Sequence, residues 1–572
     1  MAVTHPVTNN AIHMLLRRMR APLITVIIIY SIAILGFVLI PGMDAEGKPW
    51  RMSFFHAFYF VSFMGSTIGF GELPYPFTNG QRLWTLFSIY GTVVAWLYAI
   101  GSMLTVIQDT SFRRVINRNS FDRAVRRIKE PFYLICGYGD TGNLLIRALA
   151  KRGIRCVVID IEQECIDALE LEDKGIDIPG LCADASDPDN LIIAGLKRPQ
   201  CTGVIALTNI DHINLSISIS SKRLVKNMRV ISRVETHDAE ANMASFGTDY
   251  TINAYDTFAT YLATAIHSPS KHLLYDWMTS GSNAPLTEPI MPPHGKWVLC
   301  GYGRFGKALR KNLLLEDIDP IIVELDPEGT HAPRTVISGR GTEASTLHDA
   351  GIENAVGVIA GTNNDTNNLS IIMTALDINR DLFTVARQNK SMNDHLYELS
   401  DINLIMQRAN IIARKISTLI MTPMLDDFLR LLSLRDNQWA NILVSRISGL
   451  TGELSPHLWS VRINNQESPA LIQYLKESPH IVVGDLLRDP RKRENKLDCL
   501  VLLLKQQTKE ILVPDITAGL HEHDELLICG QQYSEQRVRW IQTDYNVLSY
   551  VKTGIDRPSG TLWRWLAKTT QA

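Results

Sequence analysis

At 572 residues the chain exceeds what a single hydrophobic core usually supports, so three or four domains are expected. Its 57 basic and 59 acidic residues leave a formal net charge of -2, which excludes a general nucleic-acid binder. The eight cysteines show no CxxC pair or metal-ligand spacing, a usage expected of reduced structural thiols. The long uncharged runs all fall before Asp109.

Residues 22–40, about 19 in number, carry no charge and just span a bilayer core. That run is too long for a signal-peptide core, and no small-residue cleavage site follows it. A second uncharged run covers residues 83–107. Arg17, Arg18 and Arg20 precede the first run, and a cluster from Arg113 to Lys129 follows the second. Basic outer flanks place both ends on the cytoplasmic side, with two spans between. Residues 53–66 are apolar but too short to span, as expected of a re-entrant or interfacial helix.

The next residues are Thr67-Ile68-Gly69-Phe70-Gly71, a run that resembles the TVGYG selectivity filter of potassium channels. The resemblance implies a pore whose backbone carbonyls replace the hydration shell of K+. Gly69 and Gly71 would supply the backbone angles, and Thr67 a hydroxyl at the inner end. Glu72 departs from the Asp usual after such a filter. One filter per chain cannot surround an ion, so a homotetramer is implied. Gly91, midway along the second span, is read either as a gating hinge or as a close-packing position.

After Pro131 the pattern changes. An apolar strand (132–136) leads into Gly137-Tyr138-Gly139-Asp140-Thr141-Gly142, a helical stretch, and a second strand ending in Asp160. This is the spacing of a dinucleotide-binding unit, in which glycines admit a phosphate and the acid bonds a ribose. The unit returns as Gly301-Tyr302-Gly303-Arg304-Phe305-Gly306 and Glu324, at an offset of 164 (301 minus 137). Further on, VIALTN (204–209, with Thr208 and Asn209) recurs as VIAGTN (358–363, with Thr362 and Asn363), now at an offset of 154. The domain is therefore duplicated.

Ala183-Asp184-Ala185-Ser186, then Leu191 and Ala194-Gly195, resemble the signature of regulator of potassium conductance (RCK) domains. Arg233 falls where that family carries an arginine at a strand end. The resemblance implies Rossmann-like folds that wrap an adenine nucleotide. Asp140 stands where an arginine commonly reaches the phosphates; in the second copy Arg304 fits that pattern, and Arg340 replaces the signature Asp. Asp160 and Glu324 favour a free ribose, hence NAD or ADP over NADP. Acidic residues 162–173 raise Ca2+ as a further ligand, although no EF-hand spacing is present.

The expected architecture is an α-helical membrane pore domain (two spans plus pore helix), two α/β Rossmann-like RCK domains, and a small β-rich C-terminal lobe. In residue numbers these are an N-terminus (1–20), pore domain (21–108), linker (109–130), first RCK domain (131–267), connector (268–294), second RCK domain (295–422), and lobe with tail (423–572). The expected function is a nucleotide-gated potassium channel in a prokaryotic inner membrane, not an enzyme. The alternatives are a membrane-anchored NAD-dependent oxidoreductase and a regulatory subunit of another potassium transporter. The tail, with Trp540, Trp563 and Trp565, is left unassigned.

Overall fold

The computed structural model describes residues 7–69, 75–281, 284–477 and 480–555. Phe70, Gly71, Glu72, Trp563 and Trp565 therefore lie outside the described residues. The chain divides into two compact units, Met1–Lys129 and Glu130–Ala572.

The first unit is built on α1 (Val7–Leu39), α2 (Phe54–Gly65), α3 (Asn79–Gln108) and α4 (Thr110–Arg127), with a hairpin of β1 (Gly42–Met43) and β2 (Pro49–Trp50) after α1. α1 and α3 hold the two segments long and apolar enough to cross a membrane; α2 is shorter. α2 starts where Ser53 Oγ accepts from the His56 N–H at 3.3 Å, an N-cap. It buries Ala57, Phe60, Val61 and Met64, and Phe60 meets Phe37 of α1 edge-on at 4.9 Å. Thr78 and Gln81 form a capping box that fixes the start of α3. Trp84 of α3 donates to the Ala33 carbonyl at 3.0 Å, lying where a side chain on Gly36 would have to go. The outer faces of α1 and α3 stay apolar, with Ile27, Leu35, Leu83, Phe87 and Leu97 all exposed. Residues 109–130 are mostly the helix α4 rather than irregular linker.

The second unit opens with a six-stranded parallel sheet. Its strands are β3 (Phe132–Cys136), β4 (Arg155–Asp160), β5 (Gly180–Cys182), β6 (Cys201–Ala206), β7 (Arg229–Val234) and β8 (Tyr250–Asn253), in the order β5-β4-β3-β6-β7-β8. The second copy has β9 (Trp297–Cys300), β10 (Ile321–Glu324), β11 (Ile337–Ser338), β12 (Gly357–Ala360), β13 (Phe383–Gln388) and β14 (Leu404–Gln407), in the matching order β11-β10-β9-β12-β13-β14. This is the doubly wound arrangement, in which ligands sit at the carboxyl ends of the strands where the order reverses. Central strands such as Leu134–Cys136 and Val157–Ile159 are wholly buried, as parallel sheets covered on both faces require.

The copies exchange their closing helices. Ala254–His267, which follows β8, packs on Arg304–Leu314 of the second copy, and Arg408–Met421, which follows β14, packs on Asp140–Ala150 of the first. Phe258 and Phe305 meet across this junction at 5.7 Å, within one core shared by both copies.

The expected connector 268–294 begins with a buried helix, Pro269–Thr279, rather than loop. It corresponds at offset 154 to Pro423–Ser433, and Leu274 and Phe428, both fully buried, occupy matching places in one cluster. Ser268-Pro269 is thus a helix start, with proline at the first position where its missing N–H costs nothing. The lobe carries an antiparallel sheet of β15 (His457–Arg462), β16 (Cys499–Lys505), β17 (Glu510–Leu512) and β18 (Glu525–Gly530), in the order β15-β18-β16-β17. Two tail helices, Gln532–Thr543 and Tyr545–Thr553, close its core with Val538, Ile541, Leu548 and Val551.

Candidate functional site

At the end of β3 the chain turns through Gly137, whose φ of 109° is open only to glycine. A side chain at Gly142 would strike the Gly137 carbonyl, whereas one at Gly139 would meet nothing within 4 Å. The protein itself does not require glycine at 139, so the empty space is what a closely approaching ligand would use. Asp160 accepts from the backbone N–H groups of Tyr138 at 2.5 Å and Glu162 at 2.9 Å, which anchors the turn to β4. Thr208 is held by Asn214 at 2.8 Å, and Asn209 accepts from Arg233 at 2.7 Å. Asp184 accepts from the Ser186 N–H at 2.8 Å. Gly137, Gly139, Thr141, Gly142, Asp160, Asp184, Ala185, Thr208 and Asn209 all line one cavity of about 600 Å³.

The second copy repeats the plan around a cavity of about 420 Å³ lined by Gly301, Gly303, Glu324, Arg340, Thr362 and Asn363. Glu324 accepts from the Tyr302 N–H, Thr362 is held by Asn368 at 2.7 Å, and Arg387 donates to Asn363 at 2.8 Å. Arg304, Phe305 and Gly306 do not line this cavity. Arg304 turns away to pair with Glu235 of the first copy at 2.9 Å, and Phe305 is fully buried against Tyr255 and Phe258. Gly306 is there because a side chain would strike the Gly301 carbonyl. The three were expected to bind a ligand; the geometry gives them to packing and to the junction.

That junction holds what the motif reading did not reach. Glu235 pairs with Arg233, with Arg304, and with Arg408 at 2.8 Å, while Arg387 donates to the Tyr255 hydroxyl at 3.2 Å. Burial opposes ionisation of Glu235, but Arg233 and the other two arginines outweigh it and hold its carboxyl below the usual range. Burial, reinforced by Arg408, pulls the Arg233 guanidinium down. Residues of the second copy, among them Lys390, Gln407 and Arg408, complete the first cavity. A signal was available: Arg387 stands 154 positions after Arg233, the offset of the other matches. Burial pushes the Cys300 thiol up to about 12, which suits a structural role.

In the first unit, Thr67, Ile68 and Gly69 follow α2 directly, and their N–H groups donate to the carbonyls of Met64 and Phe63. Gly69 takes φ 66° and Thr67 φ 59°, the latter unusual for a β-branched residue. α3 runs unbroken through Gly91, where an added side chain would lie 3.4 Å from Ile29 of α1. No three side chains of residues 162–173 bring metal-ligand atoms within 4.8 Å of one another; among the described residues only His237, Glu240 and Asp256 do so.

Residues 133–254 and 297–407 each match the TrkA-N domain. Potassium channel protein 1 of Methanocaldococcus jannaschii is 28% identical over 231 residues, 40% of this chain and 65% of that protein. The voltage-gated potassium channel Kch of Escherichia coli is 26% identical over 194 residues, 33% of this chain and 44% of that protein. These matches span less than two thirds of the relatives' own lengths. Among solved structures, the GsuK channel bound to NAD is similar at 15% identity and TM-score 0.44, over 92% of this chain and 99% of that one.

Proposed function

We propose that this chain is one subunit of a homotetrameric potassium channel gated by NAD or ADP. In this reading it sits in a prokaryotic inner membrane with both termini cytoplasmic, and it is not an enzyme. The observation that carries the reading is a helix too short to span, set between two that can, that delivers Thr67-Ile68-Gly69 at its C-terminal end. That end carries the partly negative pole of the helix, which favours a cation. In the assembled pore, residues 67–71 would extend along a shared axis, and Thr67, Ile68 and Gly69 would give up the bonds their N–H groups make to α2. Two relatives named as potassium channels support the same reading.

The nucleotide would be held by the glycine turns, with Asp160 and Glu324 toward the ribose. Its differential affinity for two arrangements of the domains would bias the pore through residues 109–130. The test is single-channel current from the purified protein in planar bilayers, with K+ on one side and Na+ on the other. NAD, ADP and Ca2+ are then added in turn to the cytoplasmic face. A K+-selective current whose open probability follows a nucleotide is expected; no current from a verified tetramer overturns the reading. Gly69→Ala should abolish selective conduction.

A further inference from the structure

The first cavity has two chemically unlike walls. Its glycine-turn wall carries Asp140, Asp160 and Asp184 and offers no cation to a phosphate. The wall supplied by the second copy carries Lys390 and Arg408 beside a single acid, Asp394, and Arg233 of the first copy also lines the cavity. Behind that wall, Arg233, Arg304, Arg387 and Arg408 crowd around Glu235. Arg233 and Arg387 are buried while Arg304 and Arg408 are more open, and together the four carry more positive charge than Glu235 balances, an excess an anion would relieve. Arg233 is 3% exposed, and its Nε has no hydrogen-bond partner although it is shielded from solvent. Arg408 is more open, its side chain 29% exposed, and can be reached from the cavity.

Resting on the nucleotide reading above, we propose that the phosphates of a nucleoside diphosphate in the first cavity are received by Arg408 and Lys390 of the second copy. The diphosphate takes Arg408 from Glu235, which keeps Arg233 and Arg304. Guanidinium suits this exchange because its fork can bond a carboxylate or a phosphate in the same geometry. Asp140 is then not called on to meet the phosphates, since Arg408 and Lys390 receive them. The ligand bridges the two copies: ribose on the first, diphosphate on the second. Occupancy thereby acts on the junction itself, where Glu235 ties β7's end to the N-terminus of the helix Arg304–Leu314.

The test is isothermal titration of the purified full-length protein with ADP and, separately, with adenosine. The component lost in Asp160→Ala marks the first cavity and is the one followed. For wild type, ADP is expected to bind that cavity about tenfold or more tighter than adenosine, an advantage that shrinks as salt is raised. Arg408→Gln should remove most of that advantage and leave adenosine within about twofold. Lys390→Gln, at a residue without an ion pair to Glu235, should do the same to a smaller degree and guards against a folding defect in the first variant. If both variants keep the full preference for ADP, the proposal is overturned while the nucleotide reading stands. If wild type binds neither compound, the nucleotide reading itself fails and takes this one with it.

Discussion

The two Rossmann copies share strand order, glycine turns and the Asn–Thr lock at the switch point, yet differ where a ligand's charge would be met. The first has acids at 140 and 184 and borrows cations from its neighbour; the second has Arg340 in place of the signature Asp. Arg304, which reads as the phosphate ligand of the second copy, is spent on the junction instead. Duplication kept the scaffold and divided the electrostatics. The lesson is that a motif residue at the right position acquires its role from whatever charge the other copy places beside it.

The sharpest break of this comparison is at the shared core. Phe305→Ala removes a fully buried ring from the junction and should cost about 3–5 kcal/mol in denaturant unfolding of the second unit. Because the closing helices are exchanged, both copies should unfold together; two separate transitions would contradict the shared core.

A second break compares Asp160→Asn with Glu324→Gln. Each weakens an anchor of its glycine turn and the proposed ribose acceptor, so each should lower adenosine affinity about tenfold at its own site. The titration would show whether the losses fall on two separable components; a single component insensitive to one variant would leave that copy as scaffold.

The third concerns matching helices. His272 stands where the second copy has Asp426, which pairs with Lys415. Burial lowers the His272 pKa in the folded state, opposed in part by Asp276 and aided to a smaller extent by Arg414, while the Tyr261 ring lies tilted against it at 4.1 Å. The unfolded chain then binds the extra proton, so this histidine's contribution is constant above the unfolded value of about 6.5 and declines as pH falls through it toward the lowered folded value. His272→Asn should flatten stability against pH between about 6.5 and 5. An unchanged slope would show that His272 does not titrate on unfolding.

The smallest expected effect is that of Arg304→Gln. Its side chain is 56% exposed, so losing the Glu235 pair should cost under about 1 kcal/mol. ADP affinity at the second cavity should stay within about twofold. A large loss there would restore Arg304 as a phosphate ligand.

Much of this molecule was legible in residue order. Uncharged length marks membrane-capable helices, alternating apolar strands and glycine turns mark parallel sheets, and recurrence at 164 and 154 positions marks duplication. These are local or periodic properties, carried by a few neighbouring side chains. All nine residues expected in the first cavity line it, because the glycine turn and switch point of such a sheet leave little freedom. The helix Pro269–Thr279 was missed because its Ser, Pro and Gly surroundings read as linker, while its burial depends on Phe428 and Leu443, more than 150 residues away. Tertiary structure alone decided which copy each closing helix covers, that Arg304 and Phe305 serve the junction, and that Arg408 borders the first cavity. Those are contacts between distant segments, and a charge's partner is set by what folding brings within a few ångströms of it.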